Sequence, residues 1–473
     1  MQSILVVQRV VRAAFSGIAT LNGRRHLRSW RRQSATLLPT AGLSTTTQAL
    51  EERTLLAAAS PQFLDPNPSV QNGFGEDVLP LSTGNVVITA PWDDAAGEDA
   101  GAVYLFNGST GELISTLLGA SPFDHIGSGG VVGLENGNFV ISSPDWKNGG
   151  IAYAGAVTFS NGLTGISGVV SAANSLVGET FGDNVGGTEV VALANGNYVV
   201  VSKGWSSGGS ANVGAVTFGN GLQGVSGPVS AANSLVGTSP GDLVGLDSVV
   251  SLPNGNYVVV SSAWNSGAAP EVGAVTFGNG VTGISGPVSS ANSLVGKRAL
   301  DRVGEDGVTV LSNGNYVVSS TSWDNGSAVD AGASTFGRGT VGITGEVSAS
   351  NSLVGTRSDD LVGAYRTIAL PNGNYLVSSP FWDNGGAADA GAVTFCNGTL
   401  GLTGAVSALN SLVGSTSGDS IGETDRIVLA NGNYVICSAS WDNGAAVDAG
   451  AATYGSGTTG VTGVVSALNS LVG

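Results

Sequence analysis

From residue 72 onward the chain is a succession of short apolar runs separated by Gly-Asn and Asn-Gly steps. Asn195-Gly196 stands between two β-rich runs, which is a strong hairpin signal because both central residues of a type I′ turn need positive φ. Pro228 and Pro287 indicate that the last run of their units lies at a sheet edge, since proline cannot donate a ladder hydrogen bond. The pattern predicts four short strands per unit, in one copy at 190–193, 198–202, 215–218 and around 228–231.

This four-strand unit recurs seven times along the chain. The Gly-Asn step of the first turn is spaced from the next by 53 residues once and then by 59 residues five times. Each copy also places one tryptophan seven or eight residues after that asparagine. The turn asparagines are Asn85, Asn138, Asn197, Asn256, Asn315, Asn374 and Asn433. The tryptophans, which we predict to be structural, are Trp92, Trp146, Trp205, Trp264, Trp323, Trp382 and Trp441.

Repeated units of four antiparallel strands are typical of a β-propeller. One unit cannot bury both of its faces alone, whereas a closed ring of sheets buries every face. We therefore expect an all-β, seven-bladed propeller of four-stranded antiparallel blades. Each tryptophan should lie between neighbouring sheets, where burial contributes at most about 4–6 kcal/mol by area. A β-helix or solenoid is the alternative, although its coils are usually shorter and lack Asn-Gly hairpins.

The chain divides into two regions. Residues 61–473 hold the repeats and form the expected propeller domain, whose last stretch, 466–473, should pack beside the first copy and close the ring. Residues 1–60 form an N-terminal targeting or export segment, which we expect to be disordered. Its first 48 residues contain seven arginines and no acid, a composition that on its own also fits a mitochondrial-type presequence.

The segment ALEERTLLAAAS, residues 49–60, resembles the LEPR-XLL segment found near the start of large exported bacterial proteins. The matching positions are Leu50, Glu51, Arg53, Leu55 and Leu56. Glu52 stands where that family usually has proline. The resemblance implies export from a bacterial cell, and therefore an extracellular or cell-surface location.

Composition narrows the classes of partner. The chain is 42% hydrophobic, which supplies enough apolar material for a core. Residues 54–473 carry nine basic and 32 acidic side chains, and such a body repels phosphate backbones, so no nucleic-acid partner is expected. No apolar run reaches the roughly 18 residues of a membrane helix. The two cysteines, Cys396 and Cys437, show no disulfide or metal spacing. We expect the propeller to be a monomer.

The first copy, residues 72–108, carries a second resemblance. Phe74-Gly75, Ala90-Pro91 and the run 101–106 resemble the FG-GAP repeat of integrin-α-type propellers. Later copies, with Val-Gly and Gly-Ala-Val-Thr-Phe, are also similar to repeats of unknown function in filamentous-haemagglutinin-like exported proteins. The resemblances cover residues 72–473 and imply a propeller on an extracellular, adhesive protein. The family's Asp-x-Asp-x-Asp-Gly calcium loop is replaced here by LSTGN or LANGN, so calcium is not carried over to that position.

The loop after the tryptophan is a separate candidate for a cation. Carboxylates spaced along such a loop can share a hard cation such as calcium, although Asp and Asn are also common turn formers. Copies two to four interrupt the pattern with Lys147, Ser206 and Asn265. The candidate calcium ligands are those of the first copy, Asp93, Asp94, Glu98 and Asp99. No other cofactor is expected.

Basic residues specific to the later copies form a candidate ligand-binding sector for an acidic glycan or peptide, with ordinary surface salt bridges as the competing interpretation. They are Arg298, Arg302, Arg357, Arg366 and Arg426. No catalytic set is expected. His125 is the only histidine of the repeats, and its neighbour Asp124 belongs to the repeat pattern, so the two do not suggest a Ser-His-Asp arrangement.

The sequence therefore predicts a non-enzymatic interaction or adhesion module that binds a glycan or a protein through loops on one propeller face. Two alternatives remain. One is a structural spacer of a surface protein. The other is a glycan lyase or hydrolase, which would require unpaired acids or a histidine converging on the central channel.

Overall fold

The computed structural model describes residues 62–473, without the side chain of Arg366. This region contains 34 β-strands and no helix. No segment of it therefore forms a helix long and apolar enough to cross a membrane. The expected export segment, residues 1–60, lies outside the described residues.

Seven sheets follow one another along the chain, and we number each by the repeat copy that supplies its four main strands. Sheet one contains, in spatial order, β1 (Val78–Pro80), β2 (Asn85–Ala90), β3 (Ala102–Asn107), β4 (Leu113–Leu118) and β8 (Gly168–Val169). Sheet two contains β5 (Val131–Gly133), β6 (Phe139–Ser143), β7 (Ala156–Ser160), β9 (Ser175–Val177) and β13 (Gly227–Pro228). Sheet three contains β10 (Glu189–Ala192), β11 (Tyr198–Ser202), β12 (Ala215–Gly219), β14 (Ser234–Val236) and β18 (Gly286–Pro287).

The remaining sheets repeat this order. Sheet four contains β15 (Ser248–Ser251), β16 (Tyr257–Ser261), β17 (Ala274–Gly278), β19 (Ser293–Val295) and β23 (Gly345–Glu346). Sheet five contains β20 (Val308–Val310), β21 (Tyr316–Ser320), β22 (Ala333–Gly337), β24 (Ser352–Val354) and β28 (Gly404–Ala405). Sheet six contains β25 (Tyr365–Ala369), β26 (Tyr375–Ser379), β27 (Ala392–Cys396), β29 (Ser411–Val413) and β33 (Gly463–Val464). Sheet seven has four strands, β30 (Arg426–Val428), β31 (Tyr434–Ser438), β32 (Ala451–Gly455) and β34 (Ser470–Val472).

The four main strands of a sheet are antiparallel, and a short fifth strand from the following copy joins them in parallel. In sheet two, β13 pairs with β9, so that Gly227 lies opposite Leu176 and Pro228 opposite Val177. The sequence placed the fourth strand of copy three around residues 228–231, and this position is wrong: the fourth strand is β14. The edge assignment of Pro228 is correct, because a residue without an N–H is tolerated at the outer edge of the neighbouring sheet.

The first hairpin of each copy is present, but its turn differs from the predicted type I′ turn. In copy three, Gly196 N donates to Leu193 O at 2.9 Å, and Leu193 N donates to Asn197 O at 2.8 Å. Gly196 has a φ of 82°, whereas Asn195 keeps a negative φ. Asn197 N donates to the Asn195 side-chain oxygen at 3.1 Å, a local bond that favours this conformation. The strands are thus joined by a type I turn followed by a left-handed glycine.

Side chains alternate between two hydrophobic cores along each main strand. In β11, Tyr198 and Val200 pack in the core shared with sheet two. Val199 and Val201 point the opposite way and pack in the core shared with sheet four. This alternation follows from the two-residue period of a strand. We call the face toward the preceding copy the head face of a sheet, and the face toward the following copy its tail face.

Six such cores join consecutive sheets, but the two ends of the series differ. The head face of sheet one is covered by Phe63 and Phe74, whose ring centroids lie 5.6 and 6.1 Å from that of Phe106. On the tail face of sheet seven, Leu471 is 81% exposed, whereas its counterpart in sheet six, Leu412, is fully buried. Within residues 62–473, no hydrophobic core and no hydrogen bond joins copy seven to copy one.

The prediction that residues 466–473 pack beside the first copy is therefore wrong. β34 pairs with β32, with Ser470 opposite Thr453, and Gly473 N donates to Gly450 O at 3.0 Å. The Asn-Ser-Leu-Val-Gly segment forms the fourth strand of its own sheet in copies two to seven, so the last one is already paired within sheet seven. The predicted fold class itself is confirmed: the described chain is an all-β series of seven propeller-like sheets.

Candidate functional site

Two kinds of segment meet at one end of the sheets, and we call this end the loop face. They are the loops between the second and third strands of each copy and the segments that lead from one copy to the next. In copy three, the buried Asp183 holds them together. Its Oδ2 accepts the N–H groups of Glu179 and Thr180 at 2.9 and 2.8 Å, and its Oδ1 accepts Ser206 N at 3.0 Å.

An aspartate occupies this position in copies two to seven, and the prediction that it accepts backbone hydrogen bonds at a turn is confirmed. Burial raises the pKa of Asp124, Asp301 and Asp360, while the backbone N–H groups that they accept act in the opposite direction. The recurring aspartates thus serve as structural anchors of the loop face, and the residues that vary around them are the ones available for binding.

Exposed aromatic side chains occupy the loop face in copies one to three. Trp92, Phe123, Tyr153 and Phe181 are 39, 43, 48 and 72% exposed. Later copies keep a large apolar residue at two of these positions, since Phe381 corresponds to Trp92 and Leu300 to Phe123. The positions equivalent to Tyr153 hold Asn212, Glu271, Asp330, Asp389 and Asp448. We call the side chains of Trp92, Phe123, Tyr153 and Phe181 the aromatic quartet. The features that the copies share do not predict it, because this surface consists of residues in which the copies differ.

Two members of the quartet form a pair above a cleft. The rings of Tyr153 and Phe181 meet edge to face, with 6.0 Å between centroids and 85° between planes. Beside them lies a cleft of about 270 Å³, lined by Thr180, Phe181 and the residues 206–211. That run reads Ser-Ser-Gly-Gly-Ser-Ala, so the cleft offers hydroxyl and backbone groups next to an exposed aromatic edge.

Trp92 borders another cleft. This cleft measures about 490 Å³ and is lined by Gln71, Gly73, Trp92 and Asp99. The indole lies directly against Gly73, where a Cβ atom would come within 2.4 Å of Trp92 Cε3. Glycine is required here both by this close approach and by its φ of 71°.

Phe123 is surrounded by polar groups. Lys147 Nζ lies 5.4 Å from its ring centroid and donates to the carbonyl of Pro122. His125 lies at 6.3 Å between ring centroids, and its Nδ1 is 3.1 Å from Asp145 Oδ2. This arrangement can position an aromatic ring at the surface by a cation–π contact and by packing.

The structure corrects the assignment of Trp92 to the repeated tryptophans. The other six are buried, 3–6% exposed, in the cores between sheets. In copy one their place is taken by Asp93: Asp93 N donates to Ala90 O, and Gly101 N donates to Asp93 O, as Trp205 does with Ser202 and Gly214. Asp93 lies eight residues after the turn asparagine, as each buried tryptophan does, so Trp92 is one position earlier and faces the surface.

The candidate calcium ligands of copy one do not converge. Asp93 is fully buried, and its carboxylate accepts Tyr104 OH at 2.6 Å and Asn67 Nδ2 at 2.9 Å. Burial raises the pKa of Tyr104, and the hydrogen bond to Asp93 raises it further. Asp94 accepts Asp99 N at 2.9 Å, and Glu98 is exposed. Across residues 62–473 no three His, Cys, Asp or Glu side chains are grouped so as to hold a metal ion. Asp93 and Asp94 thus already accept hydrogen bonds from protein donors, and a calcium site at these four residues stays a prediction.

Two of the candidate arginines are paired with acidic side chains. Arg302 makes two hydrogen bonds to Glu271 Oε2, at 2.9 and 2.6 Å, and Arg357 lies 3.7 Å from Asp383. Arg298 is exposed on the loop face. Arg426 belongs to β30, where its guanidinium lies 6.0 Å from the Tyr365 ring and burial lowers its pKa. The side chain of Arg366 lies outside the described part of the chain. For Arg302 and Arg357, the competing interpretation of local ion pairs describes the geometry.

A further cavity lies along the first strands of copies four to six. It measures about 500 Å³ and is lined mainly by small and hydroxyl-bearing residues, including Ser248, Thr309, Ser319 and Thr367. Asp306 also borders it, but its carboxylate already accepts the Thr321 N–H and hydroxyl, both at 2.7 Å. The cavity can accommodate a small polar molecule, yet it has no aromatic lining.

The fold and the loop face define a tandem-repeat protein of propeller-like sheets, whose repeats share their cores and differ in their loops. The chain belongs to the family described as "Repeat of unknown function (DUF5650)", which matches residues 80–128, 133–187, 192–246, 251–305, 310–364, 369–423 and 428–473. No curated protein matches the chain in sequence.

Solved structures with low sequence identity resemble the chain. One is described as a streptogramin B lyase, with 8% identity, a TM-score of 0.29, and coverage of 82% of this chain and 96% of that one. A second is an initiation factor described as eukaryotic, with 9% identity, a TM-score of 0.27, and coverage of 84% and 87%. A third is described as a 6-phosphogluconolactonase homologue from Bacteroides uniformis, with 12% identity, a TM-score of 0.28, and coverage of 80% and 93%.

Proposed function

We propose that the protein is a non-enzymatic adhesion module that binds a neutral glycan through the aromatic quartet on the loop face. The observation that carries this proposal is the exposed Tyr153–Phe181 pair beside a cleft of serines and glycines. An aromatic face provides a flat apolar platform for the C–H groups of a sugar ring, and neighbouring hydroxyl and backbone groups can hydrogen-bond to its hydroxyls.

The charge of the protein favours a neutral ligand. Residues 54–473 carry 32 acidic and nine basic side chains, so the surrounding potential opposes the approach of anionic polymers. Two of the arginines that the sequence suggested for an acidic glycan, Arg302 and Arg357, are already paired with Glu271 and Asp383. A neutral polysaccharide therefore suits this surface better than an acidic one.

In this proposal the module acts outside a bacterial cell. Its support is the resemblance of the first copy to FG-GAP repeats, of the later copies to repeats of filamentous-haemagglutinin-like exported proteins, and of residues 49–60 to the LEPR-XLL export segment. An interaction surface fits this setting, since exposed aromatic side chains on a soluble protein commonly mark a binding site.

The test is a screen of the purified protein on an array of neutral and acidic polysaccharides, with and without calcium, followed by calorimetric titration of each hit. We expect saturable, calcium-independent binding to a neutral glycan. Phe181→Ala and Tyr153→Ala should each weaken it by about tenfold or more, as expected for loss of an aromatic anchor.

Leu222→Ala is the matched control. Leu222 is 73% exposed, like Phe181, but it lies in a turn at the end of the sheets opposite the loop face. Its removal should leave the affinity unchanged. Equal losses in all three variants, or an absence of binding to any glycan, would favour the spacer alternative. Turnover of a bound glycan would favour the lyase or hydrolase alternative.

A further inference from the structure

The tail face of sheet seven exposes side chains whose counterparts in the other copies are buried or partly buried. Leu471, Tyr454 and Ile427 are 81, 56 and 48% exposed. In the preceding sheets the residues equivalent to Leu471 are at most 1% exposed, because the next copy covers them. The apolar half of a sheet-to-sheet junction is therefore present in copy seven, and its covering half is absent from the described chain.

The strand edge of sheet seven is open as well. In sheet six, the following copy contributes β33, which pairs in parallel with β29, and Val465 N donates to Val413 O at 3.0 Å. Sheet seven has the equivalent fourth strand, β34, but within residues 62–473 no fifth strand pairs with it. The backbone groups on this edge of β34 are free to accept a strand.

The third open part of the junction is the turn between the first and second strands, where asparagine side chains of one copy donate to the next copy. In copy six, Asn372 Nδ2 and Asn374 Nδ2 donate to Gly457 O of copy seven, at 2.6 and 2.9 Å. The equivalent Asn431 and Asn433 keep their local bonds, since Asn433 N donates to Asn431 Oδ1 at 3.1 Å. Their side-chain amides have no acceptor within the described residues. Two donors are thus pre-oriented toward a carbonyl that a further copy would supply.

Copy seven lacks the features of an end cap. A capping repeat normally carries a polar outer face, which keeps the end of the series soluble. Ile427 and Leu471 instead keep the apolar character of the internal copies. The opposite end shows what a cap looks like in this chain: Phe63 and Phe74 cover the head face of sheet one, and Asn67 donates to the buried Asp93 that replaces the tryptophan.

We propose that the tail face of sheet seven is a docking surface for one partner, a further sheet of the same repeat whose own head face is uncapped. The six internal junctions specify the partner's chemistry. It must bring a tyrosine on a facing strand and a tryptophan in the loop after that strand, as Tyr198 and Trp205 do in copy three. It must also bring a glycine over the ring of Tyr454, as Gly460 lies over Phe395, and a short strand for the edge of β34.

This combination of strand addition and side-chain recognition is a known mode of protein binding. A second molecule of this chain cannot supply the required face, since its head face is already covered by its own Phe63 and Phe74. The purified protein should therefore be a monomer in sedimentation experiments, and it should bind a repeat sheet only when that sheet presents an open head face.

The docking surface can be tested by extending the full chain with one additional copy, made by repeating residues 415–473 after Gly473. A tethered partner is present at millimolar effective concentration, so even a weak docking surface will be occupied. We expect hydrogen exchange at Ser470–Val472 to slow by about tenfold or more, and the added copy to resist limited proteolysis.

Two substitutions in copy seven of the extended chain provide matched controls. Leu471→Glu places a charge in the junction and should restore fast exchange and cleavage of the added copy. Leu468→Glu should have no effect, since Leu468 is 99% exposed and its counterpart Leu409 stays 92% exposed in the complete sheet six. An added copy that stays protease-sensitive without these substitutions would overturn the proposal. Self-association of the unextended protein that Leu471→Glu abolishes would also overturn it, because the occupant would then be a second tail face.

Discussion

The ring of Phe159 lies almost parallel to the ring of Tyr198 in the following copy, with 6.5 Å between centroids and 3° between planes. Phe336 and Tyr375 repeat this relationship three copies later, at 6.4 Å and 7°. Parallel rings at this separation are offset, so the contact depends on the lateral position of one sheet on the next. The stacking of sheets is therefore specific in register, and small changes at a junction should have measurable effects on stability.

The buried tryptophans should contribute far more to stability than Trp92. Trp205 is 6% exposed in the core between sheets two and three, and Trp205→Ala should lower the free energy of unfolding by about 3–5 kcal/mol. Trp92→Ala removes a ring that is 39% exposed and should cost less than about 1.5 kcal/mol. Urea denaturation followed by far-UV circular dichroism measures both. Equal losses in the two variants would contradict the assignment of Asp93, rather than Trp92, to the repeated core position.

Glycines of the linking segments should differ according to the contacts that each one makes. Gly224 and Gly227 have φ values of 76° and 90°, so alanine is strained at both, by about 1–2 kcal/mol. A Cβ at Gly224 would lie 2.6 Å from Phe159 Cβ, whereas a Cβ at Gly227 meets no atom within 4 Å. Gly224→Ala should therefore cost about 1–3 kcal/mol more than Gly227→Ala, since it separates two sheets. Thermal unfolding midpoints of the two variants provide the comparison.

Much of the fold follows from residues that repeat. The Asn-Gly steps predicted the hairpins, and the constant spacing predicted seven sheets. The sequence could not assign the fourth strand, because Pro228 and Leu235 both lie in short apolar runs and only the pairing partner distinguishes them. It also could not predict the open end, since Leu471 has the same local sequence as the buried Leu412. Whether a face is covered depends on the next sheet and not on the residues of its own copy.

The candidate site was harder to predict for a related reason. The charged residues that the sequence singled out, Asp93 and Arg302 among them, are engaged with neighbours such as Tyr104 and Glu271. Proximity of this kind arises from the packing of loops that are distant in sequence. A comparison of copies for aromatic residues at otherwise polar positions would have found Tyr153, and this is the signal that the sequence did contain.

Stability should rise as the pH falls from neutral toward the range of the raised aspartate pKa values. Burial raises the pKa of Asp301 above its ordinary value of 3.8, so the folded state binds a proton more readily than the unfolded state. Asp124 and Asp360 behave alike. Their contribution to stability is therefore complete below the unfolded pKa and is lost as the pH rises through the raised folded pKa.

Urea midpoints at pH 7.5 and pH 5, measured in the same buffer ions, would show this effect. Asp301→Asn is the appropriate control. Asparagine keeps a side-chain oxygen for the N–H groups of Lys297 and Arg298, which Asp301 accepts at 2.7 and 2.8 Å, but it does not titrate. The variant should gain less stability on acidification than the unsubstituted protein. A larger gain in the variant would show that the folded pKa of Asp301 is lowered instead.

The turn asparagines should matter only where a following copy accepts their hydrogen bonds. Asn254 Nδ2 donates to Gly339 O of the next copy at 2.6 Å, and Asn254 Oδ1 accepts Asn256 N at 3.1 Å. Asn431 makes the equivalent local bond at 3.1 Å, but within residues 62–473 its amide has no partner. Asn254→Ala should lower the free energy of unfolding by about 1–3 kcal/mol, because it leaves a partly buried carbonyl with one donor fewer. Asn431→Ala should cost only the local turn bond, about 0.5–1 kcal/mol. The difference between the two variants, read from chemical denaturation, isolates the bond between sheets. If the two losses were equal, the asparagines would act within their own turns, and the sheets would be held together by their apolar cores alone.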